Sequence, residues 1–278
     1  MYGAIIGDII GSPYEFSTRK LSKDFGLWEK RVTYTDDTVM SVAIADALIK
    51  TGNDANKSTM EQEFICSMQK WGLEYINAGY GGMFYNWLLS LSPQPYGSFG
   101  NGSAMRVSPV GWVFDDLNRT REVARWSAGV THNHPEGLKG AESTASAIWM
   151  ARNGASKQEI KEYIENEFDY DLSRHCDDIR PGYKFDVSCQ GSVPEAIIAF
   201  LDAENYEDCI RNAVSLGGDT DTQACIAGGI AEAFYGVPSE ELITKAKSIL
   251  TKELRDKIDE FYRYIGKNNG TDEIKGVL

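Results

Sequence analysis

The chain has 278 residues, 42% of them hydrophobic and 25% charged, which is ordinary globular material with enough apolar content for a sizeable core. Its 28 Lys and Arg against 41 Asp and Glu give a formal net charge of -13, which argues against nonspecific attraction to nucleic acid or to an anionic membrane. The five cysteines, Cys66, Cys176, Cys189, Cys209 and Cys225, are scattered without a CxxC pair, so they specify neither a disulfide framework nor a zinc site, and a reducing cytoplasm is the expected location.

The first residues, Met1 to Asp8, lack a basic segment, and Asp8 interrupts their apolar run, which makes a poor signal peptide. No apolar run anywhere has the length of a membrane span. Residues 3 to 11 alternate glycine and alanine with isoleucine, too glycine-rich for an autonomous helix but suited to one packed closely on a neighbour. Pro13 then forces a turn, and Glu15 follows between Tyr14 and Phe16, either an exposed loop glutamate or a carboxylate partly desolvated by the rings. Residues 17 to 34 read as a surface loop. Thr35-Asp36-Asp37-Thr38 heads the helical pattern Val39, Met40, Val42, Ala43, Ala45, Ala47, Leu48. Read alone, Thr35 or Asp36 is a helix cap with its charge well placed on the helix dipole.

Capping boxes at Ser58 with Glu61, Ser156 with Glu159 and Ser192 with Glu195 announce further helices, and residues 80 to 91 and 118 to 130 also carry helical spacing. No pair of alternating segments is joined by a hairpin turn, so the expected fold class is all-α. Between these helices lies Ser98-Phe99-Gly100-Asn101-Gly102-Ser103-Ala104-Met105-Arg106, a loop able to turn backbone N–H groups toward an anion, with Arg106 placed either to pair with a phosphate or to lock the loop. Thr131-His132-Asn133-His134-Pro135 holds two of the three histidines, but no third soft ligand accompanies them, so hydrogen bonding or substrate lining is expected there. Residues 168 to 191 lose helical periodicity and read as a long ordered rim. Residues 267 to 278 read as a frayed tail.

Gly217-Gly218-Asp219-Thr220-Asp221-Thr222 precedes a second small-residue helix. One Asp-Thr step suffices for capping; two in tandem do not serve that purpose alone. Hard cations such as Mg²⁺ and Mn²⁺ prefer carboxylate and hydroxyl oxygens, and repelling carboxylates are tolerated where a cation sits between them.

GDIIGSPYEF, TDDT, SFGNGSAMR, THNHP and GGDTDT occur in an order that resembles the ADP-ribosylglycohydrolases, the group of dinitrogenase reductase-activating glycohydrolase and the ADP-ribosylarginine and ADP-ribosylserine hydrolases. The resemblance covers at least residues 3 to 236 and implies one compact, orthogonally packed multi-helix domain, residues 1 to 266, with a cleft holding two Mg²⁺ or Mn²⁺ ions. A length prior of about 150 residues per domain would split the chain in two, but a binuclear centre drawing on both ends requires one core.

Carried over position by position, the resemblance implies Thr35, Asp36, Asp37, Asp219, Asp221 and Thr222 as metal ligands, for ions ~3.5–4 Å apart, and Glu15 as the glutamate assisting water activation or proton transfer. Gly100, Asn101, Gly102 and Ser103 would cradle the diphosphate through backbone N–H groups, with Met105 and His132 also lining the substrate site. The implied activity is hydrolysis of the bond between ADP-ribose and a modified side chain, N-linked arginine first, with an O-linked serine or a small ADP-ribose derivative as the alternative within the enzyme class. A non-catalytic ADP-ribose-binding or structural protein on the same fold would be marked by loss of a ligand or of the glutamate, and all are present. The expected partner is an ADP-ribosylated protein acted on by a monomer, with no nucleic acid and no membrane.

Overall fold

The computed structural model describes residues 1–17 and 22–269, and the side chains up to residue 266. Among the described residues fifteen α-helices follow one another: α1 Tyr2–Gly11, α2 Asp36–Thr51, α3 Lys57–Glu74, α4 Gly82–Leu88, α5 Gly102–Met105, α6 Ser108–Val113, α7 Leu117–Gly129, α8 Pro135–Arg152, α9 Lys157–Phe168, α10 Cys176–Ile179, α11 Cys189–Leu201, α12 Tyr206–Leu216, α13 Thr220–Tyr235, α14 Glu240–Ile249 and α15 Lys252–Asn269. Among the described residues there is no strand, only an isolated bridge between Gly100 and Ser188, so the fold is all-α as its periodicities indicate. No helix among the described residues is long and apolar enough to cross a membrane.

The core is built around α13, whose residues Thr220 to Glu232 are all buried, with α1, α8, α11 and α12 packed on it. All ten residues of α1 are buried too. Its small residues explain how. A Cβ on Gly7 would run into the Ala224 carbonyl, and one on Gly11 would strike Thr220 and Asp221, so a bare face at four-residue spacing lets α1 lie backbone to backbone on α13. On its other faces Ile5, Ile6, Ile9 and Ile10 enter the core, each contributing roughly 1.5–3 kcal/mol by burial.

The capping signals hold in one case of three. Ser156 and Glu159 exchange bonds at the start of α9. Ser58 lies inside α3, whose cap is Asn56, accepting from the Thr59 amide at 3.1 Å. Ser192 and Glu195 lie inside α11, whose cap is Ser188; Ser192 donates back to the Ser188 carbonyl, and Glu195 pairs with Arg174 at 2.7 Å. Two earlier residues able to cap took those roles.

The loop expected at residues 17 to 34 is irregular over 22–34; its remaining residues 18–21 lie outside the described residues. Arg211 pins it through the carbonyls of Lys23 and Phe25 at 2.9 and 2.8 Å. The rim at 168 to 191 is not wholly irregular: it contains the single turn α10, and α11 begins at Cys189. Helix α15 continues to Asn269, three residues into the segment expected as a tail, and residues 270–278 lie outside the described residues.

Candidate metal centre

Five carboxylates converge where α1, α2 and α13 meet. Asp8 stands on α1, one residue after Gly7; Asp37 is in the first turn of α2; Asp219 caps α13 and Asp221 lies in its first turn. Glu15 follows the short 3-10 turn Ser12–Tyr14 that ends α1. The close approach of α1 to α13 places Asp8 and Glu15 beside Asp221. Gly217 and Gly218, at φ +80 and +79, turn the chain sharply ahead of Asp219 in a left-handed conformation that costs other residues strain. Gly218 has no room for a side chain either: a Cβ there would lie 2.9 Å from the Tyr183 ring.

The oxygens form two trios. Asp8, Asp37 and Asp221 each bring one carboxylate oxygen within 4.8 Å of the others; Glu15, Asp219 and Asp221 do the same. Asp221 belongs to both. Hydroxyls fill the gaps, with Thr222 Oγ1 3.2 Å from Asp37 Oδ2 and Thr35 Oγ1 also 3.2 Å from it. Asp36 stands outside both trios and is half-buried at the head of α2, with its charge felt by Asp8, Asp219 and Glu15.

In the sequence Asp8 is an interruption of an apolar run; the structure gives it a larger part. Its carboxylate is fully buried and accepts from the Thr35 amide at 3.0 Å, the Thr35 hydroxyl at 2.8 Å, the Thr38 amide at 3.1 Å and the Thr38 hydroxyl. It therefore fixes the first turn of α2 from another helix, and it draws the Thr35 proton to itself so that the lone pairs of that hydroxyl can face a cation. The available signal was a lone acid in an otherwise uncharged, glycine-striped helix.

Burial strips these carboxylates of hydration and drives each one upward from its ordinary range: Asp8 to about 6, Glu15 to about 7, Asp36 to about 8, with Asp37, Asp219 and Asp221 raised as well. Mutual repulsion adds to burial at Asp36, Asp37 and Asp221. Among the described residues no Lys or Arg pairs with any of them, and Asp37 Oδ1 is buried without a hydrogen-bond partner. Uncompensated negative oxygens at this spacing, with hydroxyls between them, fit hard divalent cations.

A pH effect follows. In metal-free protein these groups hold protons more tightly folded than unfolded, so their stabilising contribution is complete below about pH 4 and is lost as the pH rises through about 6 to 8. A shift of the size seen at Asp8, from 3.8 to about 6, corresponds to a loss on the order of 3 kcal/mol, spread between about pH 4 and 6, with the groups raised higher extending the fall toward pH 8. The melting temperature without metal is expected to fall from about pH 5 to 8, and Mg²⁺ or Mn²⁺ to raise it more at the higher pH. A metal-induced rise that is the same at both pH values would contradict the assignment.

The glycine loop sits against this centre. The Asn101 side chain donates to Asp219 Oδ2 at 2.7 Å and to Ser192 Oγ at 3.1 Å, so it orients a carboxylate of the cluster. Two of the four backbone N–H groups expected to face an anion are used within the protein: Gly100 donates to Ser98 Oγ and Asn101 to the Val187 carbonyl. Gly102 and Ser103 open the single turn α5. His132 is buried, its Nδ1 2.7 Å from Thr131 Oγ1, and its Nε2 is directed at the loop, 3.2 Å from where a Cβ on Gly102 would stand. Burial and the nearby Arg106 hold its pKa well below the usual value, so the ring is neutral.

Met105 lies beneath the carboxylates with its sulfur 3.9 Å from Thr222 Oγ1. Of the two roles open to Arg106, the structure shows the lock: it is 1% exposed and binds the Ser127 carbonyl and Thr131 hydroxyl, tying α5 to the end of α7.

This sequence and this fold have matches among known proteins. The ADP-ribosylglycohydrolase family model matches residues 1–268. The chain is 27% identical over 312 residues to "ADP-ribosylhydrolase ARH3" of Danio rerio, covering 86% of this chain and 82% of that protein, and 27% identical over 305 residues to the Homo sapiens protein of the same name, covering 84% of each. It is 24% identical over 285 residues to "ADP-ribosyl-[dinitrogen reductase] glycohydrolase" of Rhodospirillum rubrum, covering 95% of this chain and 94% of that one. A solved "ADP-ribosylglycohydrolase-related protein complex" shares the fold with a TM-score of 0.70 at 21% identity over 95% of both chains. With its motifs, its acidic centre and its whole-length match in agreement, the chain belongs to the ADP-ribosylglycohydrolase family, metal-dependent hydrolases of the glycosidic bond to ADP-ribose.

Proposed function

We propose that this enzyme removes ADP-ribose from ADP-ribosylated arginine, using two divalent cations, Mg²⁺ or Mn²⁺. The observation that carries the reading is the pair of carboxylate trios sharing Asp221. Asp37, Asp219 and Asp221 would hold the ions with Thr35, Thr222 and the outlying Asp36. When bound, the ions supply positive charge that orients the ribose hydroxyls and the attacking water.

The chain's own groups do the rest. Glu15, half-buried and raised to about 7 by desolvation and by Asp219, takes the proton of the incoming water on a carboxylate oxygen. The negative field of the cluster favours the oxocarbenium-like charge that develops as the C–N bond at the anomeric carbon breaks. The electron pair of that bond departs with the guanidine nitrogen, the water oxygen forms the new bond to that carbon, and the proton taken by Glu15 balances the one the released guanidine takes up from solvent. Gly102 and Ser103 offer amides to the diphosphate, Gly100 and Asn101 shape that loop, and neutral His132 behind it acts as a hydrogen-bonding partner rather than as a counter-charge. Met105 forms the floor under Thr222. Residues 1 to 266 act as one catalytic body, and five free cysteines suit a reducing cytoplasm.

An arginine linkage is supported by the acidic surroundings, since Glu15 and Asp186 suit a cationic acceptor, and by the nearly end-to-end match to the Rhodospirillum relative. Incubation with Mg²⁺ and either arginine-linked or serine-linked ADP-ribosyl peptides tests it. Release of ADP-ribose is expected to be at least about tenfold faster from arginine, a difference of 1.4 kcal/mol in the barrier. Faster release from serine would replace the arginine assignment, and restoration of chelated enzyme by Zn²⁺ alone would remove the hard-cation assignment.

A further inference from the structure

Phe16 and Phe185 stack at 5.0 Å between ring centroids and 30° between planes, although 169 positions separate them. Their contact is not core packing, since Phe16 leaves 71% of its surface in solvent and Phe185 leaves 44%. Phe16 also holds φ at +59, a left-handed conformation that is an outlier for a bulky side chain. Such strain persists where a surrounding structure requires it, and here it secures no burial. Its effect is to present a ring at the surface directly after Glu15.

The other ring comes from the strip leading into α11. Tyr183 and Lys184 of that strip lie against Gly218, so Phe185 is anchored beside the turn into Asp219. Asp186, next to it, is held by bonds from the Ser188 amide and hydroxyl at 2.8 and 2.7 Å, and Val187 adds a further exposed apolar side chain. From Tyr183 to Val187, Lys184 is the one cation. The pair therefore bridges the segment that carries Glu15 and the strip that leads into α11, with Glu15 next to one ring in the chain and Asp186 next to the other.

Exposed aromatic faces with carboxylates beside them recognise a particular chemistry. A guanidinium is planar, permanently charged and weakly hydrated, so it stacks on a ring while its N–H groups reach carboxylates; an ammonium is more strongly hydrated, and a serine hydroxyl offers neither charge nor plane. We propose that the Phe16–Phe185 pair is the platform for the guanidinium of the modified arginine, and that these two rings set the preference of the enzyme for the linkage it cleaves. The proposal rests on the arginine reading above and names the residues that would produce it.

The test compares wild type with Phe185→Ala, Phe16→Ala and Phe185→Trp on arginine-linked and serine-linked ADP-ribosyl peptides, with calorimetric binding of free ADP-ribose as a measure of the intact cleft. Either alanine variant is expected to lower the arginine-to-serine ratio of kcat/KM about tenfold, mainly through a higher KM for the arginine substrate. Phe185→Trp should restore or exceed the wild-type ratio, because indole is the better face for a cation. ADP-ribose, which carries no acceptor, should bind all four proteins alike.

A ratio unchanged by both alanine variants overturns the platform, as does an equal loss on the two substrates or weakened ADP-ribose binding in step with activity. A wild type that cleaves only the serine linkage would overturn the arginine reading itself. The two failures are thus told apart by which protein departs from expectation.

Discussion

Asp221→Asn is expected to reduce turnover by about a thousandfold or more, roughly 4 kcal/mol of barrier, and to abolish stabilisation by Mn²⁺. Each of the other carboxylates belongs to one trio at most, whereas the oxygens of Asp221 complete both. The amide keeps the shape and one acceptor oxygen but removes the charge that two neighbouring cations would share. Metal-free protein should not suffer equally. Burial and the charges of Asp37, Asp219 and Glu15 already oppose ionisation of Asp221, so the variant should melt without metal at the wild-type temperature or above it. Asp36→Asn, outside both trios, should cost only about tenfold. Thermal melts with and without Mn²⁺, alongside ADP-ribose release, check all of this. Retained activity or an unchanged Mn²⁺ shift in Asp221→Asn would remove the shared-ligand role.

Glu15→Gln is expected to lower kcat by about 10²–10⁴ while free ADP-ribose binds within about threefold of wild type. The glutamine preserves size and hydrogen bonding, so a loss confined to rate identifies proton transfer. The sign with pH is set by the role: a base works deprotonated, so kcat should rise with pH through the pKa of Glu15. That value is about 7 without metal, and bound cations would pull it lower by favouring the ionised form. The variant should lose this acid-side limb. A pH–rate profile with the limb intact would assign it to another group.

Much of the fold could be read locally. Local signals announced α1, α2, α3, α4, α7, α9, α11 and α13, the lack of alternating segments matches the absence of strands among the described residues, and the glycine pattern of residues 3 to 11 announced a closely packed helix, which α1 is. Local signals failed where several residues compete for one role. Ser58 and Ser192 carry capping boxes as good as that at Ser156, yet the chain begins those helices at Asn56 and Ser188. A cap is chosen by where the buried face of its helix must start, and that is a tertiary property.

Candidate ligands were legible for a similar reason. TDDT and GGDTDT are runs of oxygen donors whose chemistry needs no partner to be recognised, and the order of five motifs pointed to the family that the whole-length match establishes. What the residues alone determined is an acidic all-helical chain with oxygen clusters heading two helices and a glycine loop between them. Tertiary structure decided how these are used: that Asp8 reaches across to hold Thr35 and Thr38, that Asn101 turns its amide onto Asp219, that Arg106 locks a loop, and that Asp221 is common to two trios. The physical reason is distance. Carboxylates more than 200 positions apart share a cation only if two backbones approach without side chains between them, and the missing Cβ atoms of Gly7 and Gly11 acquire that meaning only against α13.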